Sequence, residues 1–215
     1  MIKGIIFDAD GTLLDSMHIW EELGKRYLVS RGIKAEDGLS QILYPMTLQQ
    51  SSMYLKEKYS IDDSADRIIK DILSILADFY KNEAQLKEGV SSYLKKMKAK
   101  GVVMGIATSG DKELLISALK RLNVYDYFSV ITTCSEYDTS KNVSFIYLKT
   151  AEMLGTAPIE TVVFEDVLHG IMTAKNAGFV TVAVEDLSNI PDRQQIMESA
   201  DYCIKDFNEN ILEDL

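Results

Sequence analysis

Four short apolar runs, each stopped by polar residues and separated from the next by helical periodicity, constrain this chain more than any other feature. They are Lys3 to Phe7, Val102 to Ala107, Thr161 to Phe164 and Phe179 to Val184. Helical spacing fills Val90 to Lys100, Glu113 to Leu122, Val143 to Leu154 and Leu168 to Ala177. Gly101, Gly155 and Gly178 fall where three of those helices should stop. Parallel strands need crossover connections, and helices supply them. The alternation therefore predicts an α/β fold, a Rossmann-like parallel sheet with helices on both faces. Ligands of such sheets gather at the carboxyl ends of the strands, where this sequence puts its polar loops.

The alternation fails between the first and second runs. Residues 16–82 carry helical patterns at Met17 to Ser30, Thr47 to Tyr59 and Ala65 to Tyr80, without a convincing strand. They read as an inserted all-α domain, with residues 1–15 and 83–215 forming the core. Thr47 and either Asp62 or Asp63 are the expected helix N-caps there, and Gly32 the expected stop. Asn208 to Leu215 is expected to form a terminal helix.

Charge narrows the partners. Thirty-three acidic against 23 basic residues give a net charge of −10, which disfavours binding along nucleic-acid phosphates. The chain has no apolar window as long as a membrane span, and its N-terminal apolar run is too short for a signal peptide. The expectation is a water-soluble cytoplasmic protein, monomeric or weakly dimeric, with Cys134 and Cys203 reduced. A small anionic substrate would need local help from a metal or a placed lysine.

The strand ends supply that help. Asp8 and Asp10 stand two apart, so extended geometry turns both carboxylates to one side, and crowded like charges share a proton or a cation. Gly11 lets the backbone approach a ligand, and Thr12 adds a hydroxyl. A turn with acidic decoration is the competing reading. An EF-hand is excluded, because its later ligands do not follow at their spacings. Thr108-Ser109-Gly110-Asp111 precedes a helix start, either as a phosphate seat or only as a capped loop. Lys141 is placed to neutralise a phosphate or a crowded carboxylate, unless it is merely solvated. Glu165-Asp166 offers metal ligands or a cap for the helix near 168. Taken together, these groups suit Mg2+, a hard cation that favours oxygen ligands and bridges to phosphate. His169 reads as structural, whereas His18 is open between a packing role and a cleft role. Trp20 and Tyr44 are either pocket walls or core residues.

The quoted residues resemble the haloacid dehalogenase superfamily, and within it the β-phosphoglucomutase-like branch with a helical cap. Phe7-Asp8-Ala9-Asp10-Gly11-Thr12-Leu13-Leu14-Asp15-Ser16 resembles the first motif of that family, Thr108 the second and Lys141 the third. Phe164-Glu165-Asp166, with Gly170 and Ala177-Gly178, resembles the fourth. The resemblance implies that Asp8 is the nucleophile and Asp10 the general acid and base. It implies Mg2+ held by Asp8, the Asp10 backbone carbonyl and Asp166 with Glu165 in support, and phosphate bound by Thr108, Ser109 and Lys141.

Dehalogenases of the superfamily lack the acid at Asp10, so phosphoryl transfer to or from a small phosphorylated metabolite is the expected reaction. The insert would be a cap hinged near Asp15-Ser16 and Lys81 to Gln85. Two departures stand out. The third motif usually reads Lys-Pro, and here it is Lys141-Asn142-Val143-Ser144-Phe145. Trp20 and Leu48 stand near the positions where β-phosphoglucomutases carry a cap histidine and arginine. Without that arginine a bisphosphate is poorly gripped, so hydrolysis of phosphomonoesters is expected over mutase turnover. A non-catalytic binding protein of the same fold is the rival from another class.

Overall fold

The computed structural model describes residues 2–43 and 45–209. β1 (Gly4–Phe7) and the two-residue β2 (Leu14–Asp15) precede a run of helices: α1 (Met17–Ser30), α2 (Leu39–Leu43), α3 (Leu48–Lys58) and α4 (Ala65–Asp78). A π-helical turn, Phe79–Glu83, ends that run, and β3 (Gln85–Leu86) pairs antiparallel with β2. Then come α5 (Val90–Ala99), β4 (Val103–Thr108), α6 (Lys112–Arg121), β5 (Val130–Thr133) and α7 (Phe145–Leu154). They are followed by β6 (Thr161–Glu165), α8 (Leu168–Asn176), β7 (Val180–Val184), α9 (Arg193–Ser199) and β8 (Tyr202–Ile204). The chain divides into two compact units, residues 1–15 with 84–215 and residues 16–83. Glu83, assigned to the core by sequence, groups with the helical unit because the π-helical turn continues α4.

In the larger unit, six strands form one parallel sheet in the order β5-β4-β1-β6-β7-β8. Numbered along the chain among themselves, they run 3-2-1-4-5-6, the doubly wound order whose direction reverses between β1 and β6. Successive side chains of a strand leave opposite faces, so β1 and β6 each feed two cores. Ile6 and Val163 pack with Ile146, Tyr147, Ala151, Ala174 and Phe179. Their chain neighbours Phe7 and Phe164 stack at 5.1 Å and meet Tyr93 and Phe207. Burying each such aromatic contributes about 1.5–3 kcal/mol, enough for short strands to hold their register.

The four apolar runs are strands, and β5 and β8 add two that periodicity did not suggest. Gly101, Gly155 and Gly178 end their helices with φ of 77°, 72° and 89°. In the helical unit, Gly32 stands just past α1 with φ 71°. Thr47 caps α3 in a reciprocal capping box with Gln50. The cap of α4 is Ser64, whose hydroxyl accepts from Arg67 N, rather than Asp62 or Asp63. Asp63 is instead engaged by Arg31 at 2.5 Å. Helix α7 begins at Phe145 rather than Val143, because residues 141–144 turn. Of the expected terminal helix, Asn208 and Glu209 lie in a turn and bend, and residues 210–215 lie outside the described residues, as does Tyr44. Among the described residues, no helix is long and apolar enough to cross a membrane.

Candidate active site

The sheet register decides which side chains meet. Phe7 pairs with Ile106 of β4 and with Phe164 of β6, so Asp8 reaches the carboxyl edge level with Ala107 and Glu165. Thr108 and Asp166 follow one residue later. Asp8 N donates to Phe164 O at 2.9 Å, tying the first aspartate to the end of β6. Beyond it the chain turns tightly, with the N–H groups of Leu13 and Leu14 both donating to the Ala9 carbonyl at 2.9 Å. Gly11 has φ 86°, and a Cβ there would collide with the Asp166 carboxylate. The glycine serves both the turn and the close approach.

Lys141, in the turn before α7, is buried. Its ammonium forms ion pairs with Asp8 Oδ1 and with Glu165 Oε1, the latter at 2.5 Å. The solvated-lysine reading therefore fails, and the departure from Lys-Pro has not displaced the ammonium. Asp166 does not cap α8, whose N-cap position is held by Val167 without a side-chain bond. Its Oδ1 accepts from the Thr12 hydroxyl at 3.0 Å and its Oδ2 from the Asn189 amide at 2.8 Å. Glu165 is fully engaged. Oε1 accepts from Lys141 and from the Tyr147 hydroxyl at 2.8 Å, and Oε2 from the N–H groups of Asp166 and Val167. Four donors match the capacity of one carboxylate.

The end of β4 supplies the second wall. Thr108 is buried and its Oγ1 accepts from Gly110 N at 2.9 Å, while Asp111 caps α6 through the N–H groups of Glu113 and Leu114. Ser109 is exposed, with its hydroxyl 3.5 Å from Cys134 Sγ. Asp10 reaches across from the β1 loop: a Cβ on Gly110 would lie 2.9 Å from Asp10 Oδ2 and 3.2 Å from Thr108 Oγ1.

His169 is exposed on α8. His18 and Trp20 are exposed on α1 of the helical unit, His18 edge-on to Phe79 at 5.4 Å. Trp20 is 51% exposed, which corrects its reading as a core residue. Sequence reasoning missed Tyr147 and Asn189. Neither belongs to a local pattern, and each meets its carboxylate across about twenty residues of chain.

The electrostatics favour an added cation. Oxygens of Asp8, Glu165 and Asp166 lie within 4.8 Å of one another, and Lys141 pairs with the first two. Burial holds Asp8 well above the usual carboxylate range; Lys141 pulls it down, but Glu165 and Asp166 push it up again. Burial, then Glu165, pushes Asp166 up to about 7 against the pull of Lys141 and Thr12. Burial alone would lower Lys141, yet Asp8 and Glu165 override it and hold the lysine above its ordinary range. Crowded buried carboxylates of this kind are relieved by a hard divalent ion, and an all-oxygen donor set suits one. With Glu165 saturated by donors, Asp8 and Asp166 are the side chains left to bind it.

Comparison with known proteins finds likenesses along most of the chain. A family profile described as haloacid dehalogenase-like hydrolase matches residues 5–184. A phosphorylated carbohydrates phosphatase of Thermotoga maritima is 28% identical over 177 residues, covering 82% of each chain. A validoxylamine A 7'-phosphate phosphatase of Streptomyces hygroscopicus subsp. limoneus is 26% identical over 209 residues, covering 97% of this chain and 96% of its own. Among solved structures, a Thermotoga maritima protein described provisionally as a beta-phosphoglucomutase superposes with a TM-score of 0.88. It is 25% identical, with both chains fully covered.

Proposed function

The chain belongs to the haloacid dehalogenase-like hydrolases, and from that premise we propose that it is a Mg2+-dependent phosphatase of small phosphomonoesters, sugar phosphates among them, acting through Asp8. The observation that carries this reading is the Lys141 ammonium between Asp8 and Glu165 at the carboxyl edge of β1 and β6. It holds the nucleophile in place and puts positive charge where phosphoryl oxygens would sit. The relatives named for phosphorylated carbohydrates and for validoxylamine A 7'-phosphate support a polyhydroxylated substrate class.

In this reading an Asp8 carboxylate oxygen attacks phosphorus in line. The new O–P bond forms as the bond to the leaving alcohol oxygen breaks, and Asp10 gives that oxygen a proton. Water then attacks the same phosphorus, Asp10 takes its proton, and the O–P bond to Asp8 breaks to release inorganic phosphate. Thr108, the Ser109 backbone and Lys141 hold the phosphoryl oxygens during both displacements. Mg2+, held by Asp8, Asp166 and the Asp10 backbone carbonyl with Glu165 in support, would supply further positive charge against those oxygens. The helical unit is read as the cap that sets substrate choice.

Phosphate release from a panel of sugar phosphates tests the proposal. Activity is expected with Mg2+, to vanish in EDTA, and to fall by at least about a thousandfold in Asp8→Asn. Unchanged hydrolysis by that variant refutes the nucleophile. The likeness to the Thermotoga maritima structure favours a second reading, mutase activity. Glucose 1-phosphate with and without a bisphosphate activator separates the two, because isomerisation far outpacing phosphate release would overturn the phosphatase reading.

A further inference from the structure

The segment joining β7 to α9 inverts the usual distribution of side chains. Leu187 and Ile190 are 80% and 61% exposed, whereas Asp186 and Asn189 are turned to partners within the fold. Asp186 pairs with Lys87 at 2.8 Å, both side chains being largely buried. It also accepts from the Ser188 N–H at 2.9 Å and hydroxyl at 2.6 Å. Lys87 donates in addition to the Glu185 carbonyl at 2.6 Å. Three residues beyond this anchor, the 3-10 turn breaks at Asn189, whose φ of −103° and ψ of 16° lie outside the helical range. The break delivers the Asn189 amide to Asp166 Oδ2 at 2.8 Å, opposite the Thr12 hydroxyl on Oδ1. A cavity of about 200 Å3, lined by Val184, Asn189, Ile196 and Ile204 among others, borders this segment.

We infer that Asn189 is a positioning residue for the divalent cation: its amide fixes the Asp166 carboxylate, and the Lys87–Asp186 ion pair anchors the strap that carries it. A strap built for stability alone would bury Leu187 and Ile190 and expose its amide. Here the apolar residues are given up to solvent, while Asp186 anchors the strap to Lys87 and Asn189 holds the Asp166 carboxylate at the oxygen opposite the one Thr12 holds. Groups that orient a metal ligand in this way are typically worth tenfold to a hundredfold in metal affinity. The inference rests on the reading that Asp166 holds Mg2+.

Calorimetric titration of the full chain with Mg2+ tests it, together with the Mg2+ concentration that half-saturates phosphate release. In Asn189→Leu, close in size but without the donor, the Mg2+ dissociation constant should rise about tenfold or more. The half-saturating Mg2+ concentration should rise by the same factor, while KM for the phosphomonoester at saturating Mg2+ moves less than about twofold. Lys87→Met should weaken Mg2+ in the same direction, and Leu187→Ser, on the outer side of the strap, should leave its affinity unchanged. Circular dichroism verifies the fold of each variant. If the unaltered chain binds Mg2+ and Asn189→Leu binds it equally well, the positioning role is overturned and the phosphatase reading stands. If the unaltered chain binds no Mg2+ at millimolar concentration, both fall.

Discussion

Freed of divalent cations, the protein should lose stability between about pH 5 and pH 8. Asp166 is the reason. In the unfolded chain it titrates near 3.8, and in the fold burial and Glu165 push it up to about 7. Between those values the folded state keeps a proton that the unfolded state has lost, so each rise in pH favours unfolding. Below about pH 3.8 both states are protonated, and above about pH 7 neither is, so the slope vanishes outside those two values. Between about pH 5 and about 7 linkage gives a loss of about 3 kcal/mol, at about 1.4 kcal/mol per pH unit. Asp8, raised for the same cause, acts in the same direction. For a chain of this length that is a fall in Tm of about 5–10 °C. Carboxylates lowered by partners, such as Asp186 and Asp201, have completed their contribution by about pH 5 and do not mask the trend. Thermal melts in EDTA across the range measure it. Saturating Mg2+, which requires ionised Asp166, should restore most stability at pH 8 and least at pH 5, and Asp166→Asn should flatten the EDTA profile. A Tm that holds steady or climbs with pH in EDTA, or an identical slope in Asp166→Asn, refutes the reasoning.

Three substitutions probe other parts of the site and fold. Gly110→Ala would place a methyl 2.9 Å from Asp10 Oδ2. It should slow release from alkyl phosphates, whose leaving oxygen needs a proton, far more than from p-nitrophenyl phosphate; equal slowing would show that Asp10 is not the acid. Lys141→Met removes the ammonium shared by Asp8 and Glu165. Phosphate release should drop by about a hundredfold or more, and activity within tenfold of the original would count against its role. Gly89→Ala combines φ 80° with a Cβ 2.6 Å from Asn208 N. It should cost about 1–3 kcal/mol in urea unfolding without altering Mg2+ affinity.

The four buried strands were legible because each is an unbroken apolar run cut off by polar residues, and Asp8, Thr108, Glu165 and Asp166 because they stand at those cuts. β5 escaped notice because Val130 and Ile131 are only half-buried, so its apolar signal is short. β8 is an edge strand with Tyr202 and Cys203 exposed, and no apolar run marks it. The choice of Ser64 over Asp63 as a cap depended on Arg31, far away in the chain. The same limit hid Asn189. A side chain whose meaning lies in one distant carboxylate leaves no local period or spacing to read.

The little β2–β3 ribbon, Leu14 opposite Leu86 and Asp15 opposite Gln85, fastens together the two points where the helical unit leaves and rejoins the sheet. Once those ends are clasped, lengthening or replacing what hangs between them changes the closure entropy only slowly, and the strain stops at the clasp. The loop bearing Asp8 and Asp10 is thereby insulated from whatever is grafted there. Such a scaffold can trade one insert for another while the carboxyl edge of the sheet at β1 stays put.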